Sequence, residues 1–310
     1  LSAVTAANIN TNMTKKTRNW LIVLSILAFP FVLFCAFLFF MQEPLPPLAP
    51  LPNPNGYEDL VKAGQTIRGD YWDFAQTNLE KLRVSVSTNA EALALARDTL
   101  SSQCGVPIEL TTAFSTNHIK DLVAFRSLAQ AMVCEGKLAE KENRFDDAAN
   151  SYLDTVRLGS QITHGGLLVD EMVGVAIRSL GETQFQGMVT NLDAPACRKA
   201  AAALETCAAD RQTLAATLQQ HEAWSRRTYG WRWGWRKLIY FSARQKNLQH
   251  AMGTFNGNEQ REGRLLIDLA ARAYELDKGH PPASAADFVP EYLKAIPQDP
   301  VTRTNLVYTP

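Results

Sequence analysis

Three observations predict a mainly α-helical chain with one N-terminal transmembrane helix, a helix-hairpin bundle or solenoid, and a small C-terminal β-hairpin. Apolar residues recur at helical spacing from Tyr57 to about Gln249. An uncharged apolar stretch, WLIVLSILAFPFVLFCAFLFFM, runs from Trp20 to Met41. Strand signals are almost absent before residue 290. Charge decides little: 31 basic side chains balance 31 acidic ones, and a net of zero says nothing about nucleic acid, which is not expected as a partner outside the cytoplasm.

The organisation follows from the N-terminus. Residues 1–14 are polar and small, and read as a disordered cytoplasmic tail. Residues 15–41 read as the membrane anchor. Twenty-two residues without a charge, at about 1.5 Å each, reach ~33 Å and match a ~30 Å hydrocarbon core. Lys15, Lys16 and Arg18 precede the stretch, and Glu43 is the first charge after it. The positive-inside rule therefore predicts a single-pass protein of the bacterial inner membrane, with its C-terminal domain in the periplasm. Two rival readings fit less well. A cleaved signal peptide needs a shorter apolar run and a small-x-small exit, and a lipoprotein needs a small residue before Cys35, where Phe34 stands.

Residues 42–56, with six prolines in fifteen positions, read as a polyproline II spacer. A helical domain is expected over 57–258. Its first stretch uses Tyr57, Leu60, Val61, Ile67, Tyr71 and Phe74. Asn89 is read as the N-cap of a helix carrying Leu93 and Leu100, and Ser115 to Asn117 as caps of another carrying Ile119, Leu122, Phe125 and Met132. Further helices are expected at about 145–159, 166–190 and 194–206, the last opened by Asp193 with Pro195 just inside. Within this domain Gly136, Asn143, Arg144, Phe145, Ala148 and Tyr152 resemble the small and aromatic packing positions of one tetratricopeptide repeat. A single copy is more often ordinary helix-hairpin packing than a peptide-binding array.

Cys104, Cys134, Cys197 and Cys207 lie beyond the apolar stretch. Cys197 and Cys207 fall on one expected helix about 15 Å apart, too far for a mutual disulfide. Four thiols and two other disulfides both remain open. No Cys/His spacing suggests a metal, no cofactor motif is present, and the five histidines sit beside no nucleophile motif. No enzyme activity is expected on this basis. The acidic pairs Asp146–Asp147 and Asp170–Glu171 read as solvated.

One surface stands out. The segment from Trp224 to Lys237 holds four of the six tryptophans, and no acidic residue occurs between Ala223 and Asn258. Trp224, Arg226, Arg227, Tyr229, Trp231, Arg232, Trp233, Trp235, Arg236 and Lys237 are the candidate membrane or partner contacts. Indole and guanidinium suit the headgroup layer and dominate protein interfaces. The alternative is an aromatic plug under the helices with its arginines reaching outward.

Residues 259–310 carry a second resemblance. A helix from Gly263 to Asp277 leads into Gly279, Pro281, Phe288-Val289-Pro290, Tyr292-Leu293, Asp299-Pro300, Leu306 and Tyr308. This resembles the C-terminal part of the major pseudopilin of type II secretion, which implies a small hairpin over 299–308 closing over the end of that helix. No Gly-Phe-Thr leader accompanies it. The whole layout is similar to uncharacterised bacterial single-pass proteins with a helical ectodomain. That resemblance implies a membrane-anchored envelope scaffold or protein-interaction module, with the lipid bilayer held through Trp20–Met41 and a protein partner in the envelope. Membrane-surface docking through 224–237 and an envelope hydrolase are the alternatives.

Overall fold

The computed structural model describes residues 20, 23–26, 28–33, 45, 47–48, 50–69, 78–230, 232–234, 239 and 241–308. Residues 1–45 and 46–310 are separate units. In the first, the described residues between Trp20 and Leu33 are helical and exposed. No helix among the described residues is long and apolar enough to cross a membrane. Of the expected span Trp20–Met41, residues 21, 22, 27 and 34–41 lie outside the described residues, as does the expected tail 1–14.

Among its described residues the second unit is mainly helical. Its helices are α1 (Tyr57–Thr66), α2 (Leu79–Thr88), α3 (Ala90–Leu100), α4 (Phe114–Lys141), α5 (Phe145–Gln161), α6 (Leu168–Met188), α7 (Ala194–Ala209), α8 (Leu214–Tyr229) and α9 (Phe241–Lys278). The mainly α class is therefore correct. Short 3-10 turns at Val189–Asn191 and Ala285–Phe288 complete it.

The caps decide several boundaries. Asp193 takes the Ala196 N–H at 2.8 Å with proline inside the first turn, so α7 starts where expected. Asn89 stands before α3 but makes no side-chain cap there. Its buried amide instead accepts from Arg68 N–H at 2.7 Å and donates to the carbonyls of Arg68 and Ser85, tying the chain after α1 to the α2–α3 corner. The expected cap at Ser115 to Asn117 is displaced. Helix α4 begins at Phe114, whose N–H is taken by Thr111 Oγ1 at 3.2 Å.

Helix α5 is the hub. It packs against α4 on one side and α6 on the other, with α3 and α7 also in contact. Eleven of its residues, among them Ala148, Tyr152, Leu153, Val156 and Gly159, are buried, so little of it beyond its first turn faces solvent. Close approach needs the glycines. A Cβ at Gly136 of α4 would lie 2.3 Å from the Tyr152 ring, and one at Gly159 would lie 2.7 Å from the Gly174 carbonyl of α6. The repeat-like small and aromatic positions thus pack as the sequence suggested, with Tyr152 Oη donating to Glu140 at 2.6 Å.

Two apolar clusters flank this hub. One joins Tyr57, Leu60, Leu82, Leu93, Phe125 and Leu128 of α1 to α4 with Leu158 and Ile177. The other joins Tyr152, Phe185, Cys197, Leu204, Leu265 and Leu269 with Phe288, Tyr292 and Leu293 of the tail. Residues 259–308 therefore share a core with α5, α6 and α7, and α9 runs unbroken across position 258. Part of the proline-rich segment is docked as well. Asn55 exchanges hydrogen bonds with the Gly105 backbone, and Pro52 lies against Gly105. At least residues 52–56 are thus fixed against the domain rather than acting as spacer.

The C-terminal β-hairpin is not formed. No strand is present among the described residues; Gln298 and Asn305 make one isolated antiparallel bridge. The reason is local. Asp299 Oδ1 gathers the N–H groups of Val301 and Thr302 at 2.9 and 2.8 Å, and Arg303 adopts φ 59°, so the chain turns before a ladder can extend. The turn still covers the helix, with Leu306 seated against Gly263 of α9.

Candidate functional site

The tryptophan–arginine segment divides on inspection. Trp224 is a core residue, 3% exposed, its indole N–H donating to the Glu109 carbonyl at 2.8 Å and its ring beside Phe114. It is not a surface contact, because α8 presents it to the α1–α4 cluster. Arg226 is half-buried and bonds Glu222 at 3.0 Å; Trp233, also half-buried, donates to the same carboxylate at 3.0 Å. Arg227 and Tyr229 are half-buried and Arg232 is exposed. Trp231, Trp235, Arg236 and Lys237 lie outside the described residues.

A cleft of about 420 Å³ opens beside α4 and α5, lined among others by Val86, Arg97, Glu135, Arg144, Asp147 and Asn150. A second cleft of about 240 Å³ lies on the other side of Asn150, against Asp193 and Lys199. Charges of both signs face the first. Arg97 pairs with Glu135 and reaches Asp154 at 3.4 Å, and Arg144 pairs with Asp147 at 2.6 Å. Arg144 and Asp147 are both exposed, and such a pair contributes only about 0–1 kcal/mol. It can open for an incoming chain at small cost. Asp146 and Asp147 are exposed here, as the sequence implied.

The other acidic pair is not solvated. Asp170 and Glu171 are 0% and 2% exposed, and each begins a separate polar group. Asp170 sits at the start of α6, where its Oδ2 takes the Leu167 N–H at 2.6 Å and its Oδ1 bonds His118 Nε2. The other ring nitrogen of His118 faces Tyr57 Oη at 3.4 Å and Asp121 at 3.6 Å, and Phe114 stacks on the ring at 4.7 Å. Burial by itself lowers the His118 pKa, but the hydrogen bond and charge of Asp170, with Asp121 behind, leave it raised above 6.5. Both nitrogens are engaged, so the ring joins α1, α4 and α6 and has none left to serve as a base.

Glu171 opens the second group. It accepts from Arg178 at 2.8 Å, and Arg178 also donates to the Gly159 carbonyl at 3.1 Å and to Asn258 Oδ1 at 3.4 Å. Asn258, on α9, donates to Glu182 at 2.6 Å and to Ser179 at 3.2 Å. Arg211, beyond the end of α7, pairs with Glu262 of α9. Burial, and then the charge of Glu262, pushes the Glu182 carboxyl up to about 8. A cavity of about 260 Å³ adjoins these side chains. Sequence reasoning missed this group because Arg178, Asn258 and Glu262 are far apart in the chain. The available signal was a charged residue at an apolar-face position of α6, Arg178 following Val175 and Ile177.

Among the described residues no group of His, Cys, Asp and Glu is arranged to hold a metal ion. Cys104, Cys134, Cys197 and Cys207 are free thiols, the first three buried. No family, curated protein or solved structure matches the chain.

Proposed function

We propose that the chain is a membrane-anchored interaction scaffold of the bacterial envelope, holding an extended segment of a protein partner in the cleft beside α4 and α5. The observation that carries this reading is the cleft itself, open, about 420 Å³, and contributed by four helices. Its lining offers hydrogen-bonding groups of both signs on rigid elements, the arrangement that main-chain and polar side-chain recognition requires. The anchor rests on the uncharged run from Trp20 to Met41 and the basic residues before it. The C-terminal resemblance to a pseudopilin supports an envelope assembly as the setting.

Two experiments test it. A photo-crosslinking side chain at Asn150, in cells, is expected to give a discrete adduct that the same group at Thr183, exposed on α6, does not. Equal adducts at both positions, or none at Asn150, would overturn the cleft. Topology is read from single cysteines. Thr183→Cys is expected to react with an impermeant maleimide in spheroplasts and Ser2→Cys only after lysis; the reverse pattern would overturn the placement.

A further inference from the structure

The cavity beside Arg178 has an imbalance that its position in the core does not explain. Glu171 and Glu262, 2% and 4% exposed, both line it. Each spends one carboxylate oxygen on an arginine, and the second oxygen has no hydrogen-bond partner among the described residues. Glu182, behind Asn258, leaves one oxygen in the same state. Two lining carboxylates thus each keep an unpartnered buried oxygen, whereas no buried nitrogen of Arg178 or Arg211 is unpartnered among the described residues. Buried carboxylates demand donors, so the complement of this cavity carries N–H groups and positive charge. An anion would meet Arg178 with all three of its nitrogens already engaged.

An apolar part of the wall comes from Phe255 and Leu266 of α9 and Leu214 of α8, beside the polar Gln212, Thr213 and Gln298. At about 260 Å³ the space exceeds by far the roughly 15 Å³ that one water needs. It falls just below the roughly 300–1,000 Å³ typical of sites for drug-sized ligands. Glu259, exposed on α9, stands among the lining residues and adds negative charge to it.

We propose that this cavity binds a small organic cation, an alkyl ammonium or alkyl guanidinium, with its N–H groups taken by Glu171 and Glu262 and its stem against Phe255, Leu266 and Leu214. The group is supplied either by a free amine or by a lysine or arginine side chain of a partner. Binding is coupled to Glu182. That carboxyl faces Glu262 and Asn258 from α9, Arg178 from its own helix, and Arg211 and Arg261 beyond. With its pKa pushed up to about 8, it holds a proton at neutral pH, and a bound cation favours its release. Affinity therefore strengthens from pH 7 to pH 9.

Isothermal titration of the whole chain, residues 1–310, tests this with butylamine, butylguanidine, a capped Gly-Lys-Gly peptide, and succinate as the anionic control. Saturable binding of an amine or guanidine is expected, severalfold tighter at pH 9 than at pH 7. Binding of butylamine or butylguanidine but not the peptide assigns the cation to a free molecule, and tighter binding of the peptide assigns it to a partner side chain. Glu171→Gln should weaken binding at least tenfold with an unchanged circular dichroism spectrum. Leu214→Trp should block it while leaving every carboxylate in place. In Glu182→Gln, binding at pH 7 should persist and the pH dependence vanish. Binding of succinate instead, binding of none of the cations, or full binding in Leu214→Trp would overturn the assignment. The cleft proposed for a partner protein stands or falls separately, since none of its residues is changed.

Discussion

Helix α6 opens with two neighbouring carboxylates that meet different fates. Asp170 enters a group in which every polar atom finds a partner: Leu167 N–H, His118, and through His118 both Tyr57 and Asp121. Glu171 enters a group with more acceptors than donors, beside a cavity. Consecutive residues on a helix point about 100° apart, so one faces α4 and the other α9. A buried network with every member satisfied fixes the packing of the helices that contribute to it. A partly satisfied one costs stability, and beside a cavity it leaves acceptors that a bound donor would complete.

The largest effect expected on breaking this comparison is at Arg178. Arg178→Met leaves Glu171 buried without its guanidinium, which costs about 3–5 kcal/mol, read as a fall in the urea midpoint. Next comes Asp170→Asn. It removes a charge-assisted hydrogen bond and should cost about 1.5–3 kcal/mol near neutral pH. The pH dependence carries a sign. His118 has a folded pKa raised above 6.5, so its contribution is fully present below pH 6.5 and is lost as pH rises through the folded value. Stability of the native chain should therefore decline across that window, and Asp170→Asn should flatten the decline.

Gly136→Ala sits outside both groups and sharpens the contrast by acting through packing alone. Its new methyl group meets the buried Tyr152 ring. Overpacking outweighs the gain in helix propensity, for a net cost of about 1–2 kcal/mol, measurable by thermal melting with no change in pH dependence. The smallest effect belongs to the surface. Arg83→Ala removes exposed pairs to Glu80 and Glu142 and should change stability by less than about 1 kcal/mol.

What was legible in the sequence was local. Asp193 with Pro195 announced α7, and the small and aromatic positions from Gly136 to Tyr152 announced the α4–α5 contact, because capping and close approach depend on residues near in the chain. The residues of α9 after Gln249, HAMGTFNGNEQRE, are too polar to show a helical face on their own. Their helix is stabilised by packing further along, at Leu265, Leu266 and Leu269. The burial of Asp170 and Glu171 was illegible for a related reason. An acidic pair early in a helix normally complements its dipole in water, and only the positions of α4 and α9 remove that water. The hairpin expected over 299–308 failed because Asp299 supplies its own turn. Composition left Trp224 open between a surface belt and a buried plug, because it does not reveal which way α8 faces.

One measurement tests the distinction between the two groups most directly: urea midpoints of Asp170→Asn and Glu182→Gln beside the unchanged chain at pH 7. Glu182 has a folded pKa of about 8 against an ordinary 4.5. The unfolded chain therefore releases a proton that the folded one keeps. Over that window stability falls by up to about 1.4 kcal/mol per pH unit. Glutamine removes the loss and keeps an oxygen for Asn258. The account predicts opposite signs: Asp170→Asn lowers the midpoint and Glu182→Gln raises it. Equal destabilisation by both would mean that the second group is as complete as the first, and would contradict its reading as a binding site.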